Sequence, residues 1–252
     1  MRHVLCVPGN WRSFDQVHVL LSGPQFDGFR LDTLNSRTGP LPTLARSFEQ
    51  LEDRTMPSLT DDDIEQIAGH KQVAYIASPD VDRSNGVLIA RKALELTKML
   101  LQGDASGVMA FSSGLSRGRD GWLRLASLLE SARRDGNDAL AGLLLCLAWV
   151  QRLIGPDEDG TFYSCGFHLF GLPDVEVPAS GDERADLGWV TSYGDYTLGV
   201  GPGNALRDGD TFSQGPDTIV RRIRLRPCTR YAPNSLYFNP KGYVRIEPTA
   251  AV

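Results

Sequence analysis

The stretch Gln72-Val73-Ala74-Tyr75-Ile76-Ala77, closed by Ser78-Pro79 and followed by apolar Val87, Leu88, Ala90, Leu94, Leu96, Met99 and Leu100 and then by Val108-Met109-Ala110-Phe111, decides the fold. Its two ends are short, apolar and β-prone, and the apolar positions over 85–101 recur with a helical period, so the unit reads strand, helix, strand. Working toward the N-terminus, Thr60 to Asp63 supplies a cap and an acidic first turn for a helix over 61–68. The Pro-rich stretch 38–60 is connection with one helix at 43–51, and residues 28–34 predict a strand with Phe29, Leu31 and Thr33 on one face. Residues 3–7 predict a first strand stopped by Pro8-Gly9, and Ser13 opens a helix over 14–21 with Phe14, Val17, Leu20 and Leu21 on one side. The order β-α-β, connection, β-α-β predicts a ferredoxin-like βαββαβ half whose helices cover one face of a mostly antiparallel sheet; a doubly wound parallel sheet is the alternative.

Toward the C-terminus, a Gly-, Ser- and Arg-rich turn at 112–121 leads into a helix over 121–134. The apolar run Ala139 to Val150 is ambiguous by period; the turn at 155–160 favours a strand for its second part, paired with 161–165. A helix over 182–199 and strands near 218–226 and 235–247 complete the chain. The fold class is therefore α+β, with a ferredoxin-like lobe over 1–118 and a second mixed α+β lobe over 119–252, continuous with the first and packed on it.

Composition agrees with a packed protein. Of 252 residues, 41% are hydrophobic and 23% charged, which excludes a disordered chain, and 26 glycines with 15 prolines favour short elements joined by turns over a helical bundle. The net charge of −5 argues against nucleic acid as a partner. The longest apolar run falls well short of the roughly 20 residues a membrane span needs, and Val4 to Val7 is too short for a signal-peptide core. Cys6, Cys146, Cys165 and Cys228 have no paired spacing, so a reducing, cytoplasmic compartment is expected.

Five constellations carry candidate chemistry. Gly114-Leu115-Ser116-Arg117-Gly118 fits the G-x-S-x-G spacing of an exposed nucleophile, with His168 as the later histidine, but reads first as a Gly/Ser turn. His3-x-x-Cys6 and Cys165-x-x-His168 offer soft ligands, yet on strands i and i+3 point to opposite faces, so no metal and no other cofactor is expected. Asp174-Val175-Glu176-Val177 alternates, placing two carboxylates on one strand face, which could share a metal or split acid and base roles but fits a solvated face equally. Asp208-Gly209-Asp210-Thr211 reads as a tight turn. Arg222, Arg224 and Arg226 alternate with Ile223 and Leu225, displaying three guanidinium groups that could grip an acidic partner or a phosphate.

Several segments in order resemble a bacterial family catalogued as domain of unknown function 4261. They are Met56-Pro57, His70 to Ile76, Ala93 to Lys98, Gly166-Phe167-His168-Leu169-Phe170-Gly171-Leu172-Pro173-Asp174-Val175-Glu176-Val177 and Leu206 to Thr211, spanning about residues 56–226. Asp174 departs from the family pattern, which more often has Glu. The resemblance implies no established activity, and an interaction role near secretion or toxin-immunity loci.

The residues favour a non-catalytic protein-interaction or regulatory factor that binds another protein, and the resemblance makes an immunity-like role the form to expect. A hydrolase using Ser116 and His168, or the carboxylates Asp174, Glu176, Asp208 and Asp210, is the first alternative, and a small-anion or metal-binding module the second. The candidate surface comprises His168, Asp174, Glu176, Asp208, Asp210, Arg222, Arg224 and Arg226, with the two acidic segments expected within reach of each other as one acidic patch.

Overall fold

The computed structural model describes residues 1–56, 58–199 and 206–249; Pro57 of the resembling segments lies outside them. In chain order the strands are β1 (Val4–Gly9), β2 (Arg30–Leu31), β3 (Arg37–Thr38), β4 (Gln72–Ala77), β5 (Val108–Ala110), β6 (Leu115–Arg117), β7 (Gln151–Ile154), β8 (Thr161–Cys165), β9 (Asp174–Pro178), β10 (Thr211–Ser213), β11 (Val220–Arg226) and β12 (Tyr243–Pro248). The helices are α1 (Asp15–Leu21), α2 (Leu44–Gln50), α3 (Asp61–Ala68), α4 (Gly86–Gln102), α5 (Arg119–Arg134), α6 (Asp138–Trp149) and α7 (Glu183–Gly199).

The first sheet runs β2-β4-β1-β5-β6, with β3 also on β4. β1 pairs antiparallel with both β4 and β5, so β4 and β5 are parallel to each other and α4 crosses over β1 to join them. The strand-helix-strand unit of residues 72–111 is thus split by the N-terminal strand. Alternation along the strands feeds two cores. Leu5, Val7, Ala74, Ile76, Val108 and Ala110 pack with α4, whereas Cys6, Val73 and Met109 pack with Phe48 of α2 and Ile67 of α3. Helices therefore cover both faces, not the one expected, because these strands are apolar at consecutive positions. Thr60 and Asp63 form a reciprocal capping box, so the three adjacent aspartates do start α3. The strand expected over 28–34 shrinks to Arg30–Leu31, since the Asp32 carboxylate accepts from the amides of Leu34 and Asn35 and turns the chain away.

The second sheet has the order β10-β11-β12-β9-β8-β7 and is mixed, with β12 lying parallel to β9 and antiparallel to β11. The apolar run corrects the sequence reading: residues 138–149 form α6, and the strand paired with β8 is the following Gln151–Ile154. α6 packs against α4, α5 and α7, so it is apolar around most of its circumference and carries no helical period. Asn137 caps it by accepting from the Leu140 amide.

One hydrophobic cluster joins the two sheets, running from Leu5 and Ile76 through Trp122 and Trp149 to Val175, Val190 and Ile246. Trp149 Nε1 donates to the Ala90 carbonyl of α4 at 3.0 Å. A Cβ built on Gly86 would lie 2.6 Å from the Phe170 Cα, so the first turn of α4 rests directly on backbone of the second half. No helix among the described residues is long and apolar enough to cross a membrane.

Candidate functional site

His168 sits in a short 3-10 turn, Phe167–Phe170, between two glycines. Gly166 has φ +135° and Gly171 φ +68°, and a Cβ on either would come within 2.3 Å of backbone, at the Trp149 carbonyl and the Arg83 amide respectively. Only glycine fits at these corners. Asp174, the first residue of β9, ties the turn down: its Oδ1 accepts from the Phe167 amide at 3.0 Å and from Ser164 Oγ at 3.2 Å, and its Oδ2 accepts from Asn239 Nδ2 at 2.7 Å. His168 Nδ1 lies 3.6 Å from Asp174 Oδ2, within ionic reach but beyond a hydrogen bond. Both residues are 1% exposed, and neither ring nitrogen of His168 has a hydrogen-bond partner. His3, equally buried, packs edge-on against Trp149 at 4.8 Å and also lacks partners. Burial, and then the neighbouring His168, lower its pKa from 6.5 to about 3.

Residues 227–242, between β11 and β12, form a strap, and this corrects the strand expected from 235 onward. Arg230 on the strap lies over the rings of Tyr163 and Tyr243, at 4.5 and 5.0 Å, and donates to Glu176 and, at 2.5 Å, to Asp157. Burial opposes its charge, but Asp157 and Glu176 outweigh that and raise its pKa. Asn239, fully buried, donates to Asp174 and to the Leu172 carbonyl at 2.9 Å. The expected solvated carboxylate face is therefore a covered one, with Glu176 3% exposed and held between Arg230 and Arg245.

A cleft of about 550 Å³ opens where the strap meets the first sheet. Val4 and Ala77, at adjoining ends of β1 and β4, form one wall with Asp32; Pro233, Ser235, Leu236, Phe238 and Pro240 of the strap form the other; His168 lies at the floor. Leu236 is 44% exposed at this cleft.

The remaining candidates do not join it. Ser116 lies within β6, fully buried, and donates to the Phe48 carbonyl, so the G-x-S-x-G stretch leaves the turn of residues 111–114 at Gly114 and continues as strand, with no exposed elbow. Asp208 takes Arg224 at 3.3 Å and the Leu225 amide, and Asp210 takes the Arg207 amide. The acids form no common patch, because β12 separates β9 from β11 and arginines intervene: Glu176 registers with Arg245, and Arg245 with Arg224. Arg224 and Arg226 share Glu247, at 4.0 and 3.5 Å, and Arg222 is exposed. Ile223 enters the core as expected, whereas Leu225 is 48% exposed. No group of three or more His, Cys, Asp or Glu among the described residues is placed to hold a metal.

A scan against models of protein families, a search of curated proteins and a search of solved structures each find no match. Sequence reading singled out His168 and Asp174 but missed their companions Asn239 and Arg230, and took His3 only as a soft ligand beside Cys6. The available signal was the strand alternation itself: Tyr163, Asp174, Glu176, Tyr243 and Arg245 share one face, a set too polar and aromatic to be left uncovered.

Proposed function

We propose that this chain is a non-catalytic interaction protein of the bacterial cytoplasm, regulatory or immunity-like, which binds another protein through the cleft above His168. The observation that carries this reading is the cleft's construction: apolar strap residues around a buried imidazole whose polar atoms have no partner within the chain. Native proteins rarely leave such groups unsatisfied, and a cavity of side-chain dimensions beside one, walled by the exposed Leu236, suits an external group. The resemblance of residues 166–177 to domain of unknown function 4261 supports the same reading, since glycines, His168 and the Asp174 carboxylate that build the floor all fall in it. Free thiols at all four cysteines support a reducing compartment. The first lobe is a ferredoxin-like variant in this reading, supported by the split β4-α4-β5 unit around β1.

The test is selection of a displayed linear-peptide library on the intact protein. Enriched peptides whose binding is lost in Leu236→Asp and kept in Val19→Asp, an exposed residue away from the cleft, support the proposal; enrichment indifferent to Leu236 refutes it.

A second reading, hydrolysis, is favoured by one observation: a carboxylate beside an imidazole orients a general base, and Ser235 lines the same cleft. Fluorophosphonate labelling that disappears in Ser235→Ala would establish it in place of the first.

A further inference from the structure

The strap covers only part of the outer face of the second sheet. It lies over Tyr163, Glu176 and Tyr243, whereas β11 and the end of β12 present Arg222, Arg224, Arg226 and Arg245 around Glu247. Arg224 and Arg226 are 41% and 52% exposed, and Arg222 is exposed as well. Arginines along an edge strand guard against unwanted pairing. That explanation does not apply here, because β11 pairs with β12 from Arg221 to Arg226 and, on its other side, with β10 and the 208–210 turn. Register sets Arg224 directly opposite Arg245, a juxtaposition of like charges that costs stability. The local carboxylates are spread thinly over these groups. Glu247 is shared by Arg245, Arg226 and Arg224 at 3.2, 3.5 and 4.0 Å, and Glu176 reaches Arg245 at 3.6 Å while already held by Arg230. Arg222 has neither ion pair nor hydrogen bond among the described residues. Guanidinium forks at alternate positions of a strand stand about 7 Å apart, the spacing of alternate side chains in an extended peptide, and their planar donors match carboxylates. A nucleic acid backbone fits less well, because the acidic 208–210 turn flanks β11 and the chain carries a net charge of −5. Going beyond the cleft, with which this face shares no residue, we infer that the open arginine face is a second docking surface, taking an extended acidic segment of a partner protein whose carboxylates, at alternate positions, meet Arg222, Arg224 and Arg226.

The experiment measures fluorescence anisotropy of labelled probes on the full chain: an octapeptide alternating Glu and Thr, its isomer with the glutamates in one block, and an oligothymidylate of the same length. The alternating peptide should bind at millimolar concentration or below, and about threefold more tightly than the block isomer, the effect of one further exposed ion pair. Arg222→Ala should weaken it by about threefold and Arg222→Glu by about tenfold. Because Arg222 has no partner in the chain, Arg222→Ala should melt with the parent, which separates loss of recognition from loss of folding. Arg134→Ala, exposed on the last turn of α5, and Leu236→Asp at the cleft should leave the affinity unchanged. No binding of the alternating peptide, equal affinities for the two isomers, or binding indifferent to Arg222 would each overturn the inference. So would tighter binding of the oligothymidylate, which would make the face a nucleic acid site, or loss of peptide binding in Leu236→Asp, which would move the acidic segment to the cleft. The cleft reading rests on Leu236-dependent peptides and the present inference on Arg222, so either can fail while the other stands.

Discussion

The buried charges set how single residues respond to change. His3 keeps its ring neutral because burial, and then His168, hold its pKa at about 3 against 6.5 in the unfolded chain. The unfolded state therefore takes up a proton that the folded state refuses, and stability present above pH 6.5 is lost as pH falls from there toward 3. The loss from roughly pH 7 to pH 5 should be about 2 kcal/mol, and His3→Phe should flatten it when urea midpoints are followed across that range. Asp53 and Arg117, each 1% exposed, meet at 2.5 Å, with Arg117 also donating to the Met56 and Leu147 carbonyls. Burial works against the Asp53 charge, but Arg117 and Thr55 outweigh it and hold its pKa below the usual range. Asp53→Asn should cost about 3–5 kcal/mol in urea unfolding, because it strands a buried guanidinium, and Asp53→Leu with Arg117→Met should recover much of that. Sequence reading had no access to this pair. Arg117 was legible only as a spacer within G-x-S-x-G, and its partner lies far away in a Pro-rich connection.

At the level of elements, the strap decides whether the polar face of the second sheet is dry. Arg230 is its clasp, joining two carboxylates and two tyrosine rings. Arg230→Ala should remove about 3 kcal/mol and speed amide hydrogen exchange over 227–242 and β9, while α4 and β1 exchange as before. Glu176→Ala, which on a solvated face would change stability little, should destabilise by a similar amount, since Glu176 is enclosed beneath that clasp. Elements with a strong period or punctuation, such as β4, α4 and α3, were legible because local sequence and tertiary burial ask for the same residues. α6 was not, because a helix surrounded by other helices loses the amphipathic stripe that distinguishes it from a strand. The strap was illegible for a different reason: it is held by distant side chains, and its own composition specifies only turns.

For the molecule as a whole, the continuous cluster through Trp122, Trp149 and Val175 makes the two sheets interdependent. Urea unfolding followed by tryptophan fluorescence, which reports on Trp11 in the first lobe and on Trp122, Trp149 and Trp189 in the second, should coincide with the far-ultraviolet transition; two separated transitions would show that the lobes unfold independently. The α+β class was legible from the run of elements, whereas the strand orders were not, since nothing local announces that β1 will lie between β4 and β5. The placement of β12 has a further bearing on how the chain is made. β12 is the last described strand to be synthesised, yet it sits between β9 and β11. During translation the first sheet can assemble once β6 has left the ribosome, but one backbone edge of β9, paired on its other side with β8, must stay open to other nascent chains until β12 emerges. A cell that makes this protein quickly therefore faces its greatest aggregation hazard after β9 has emerged, and slower codons or chaperone capture would help most between β9 and β12.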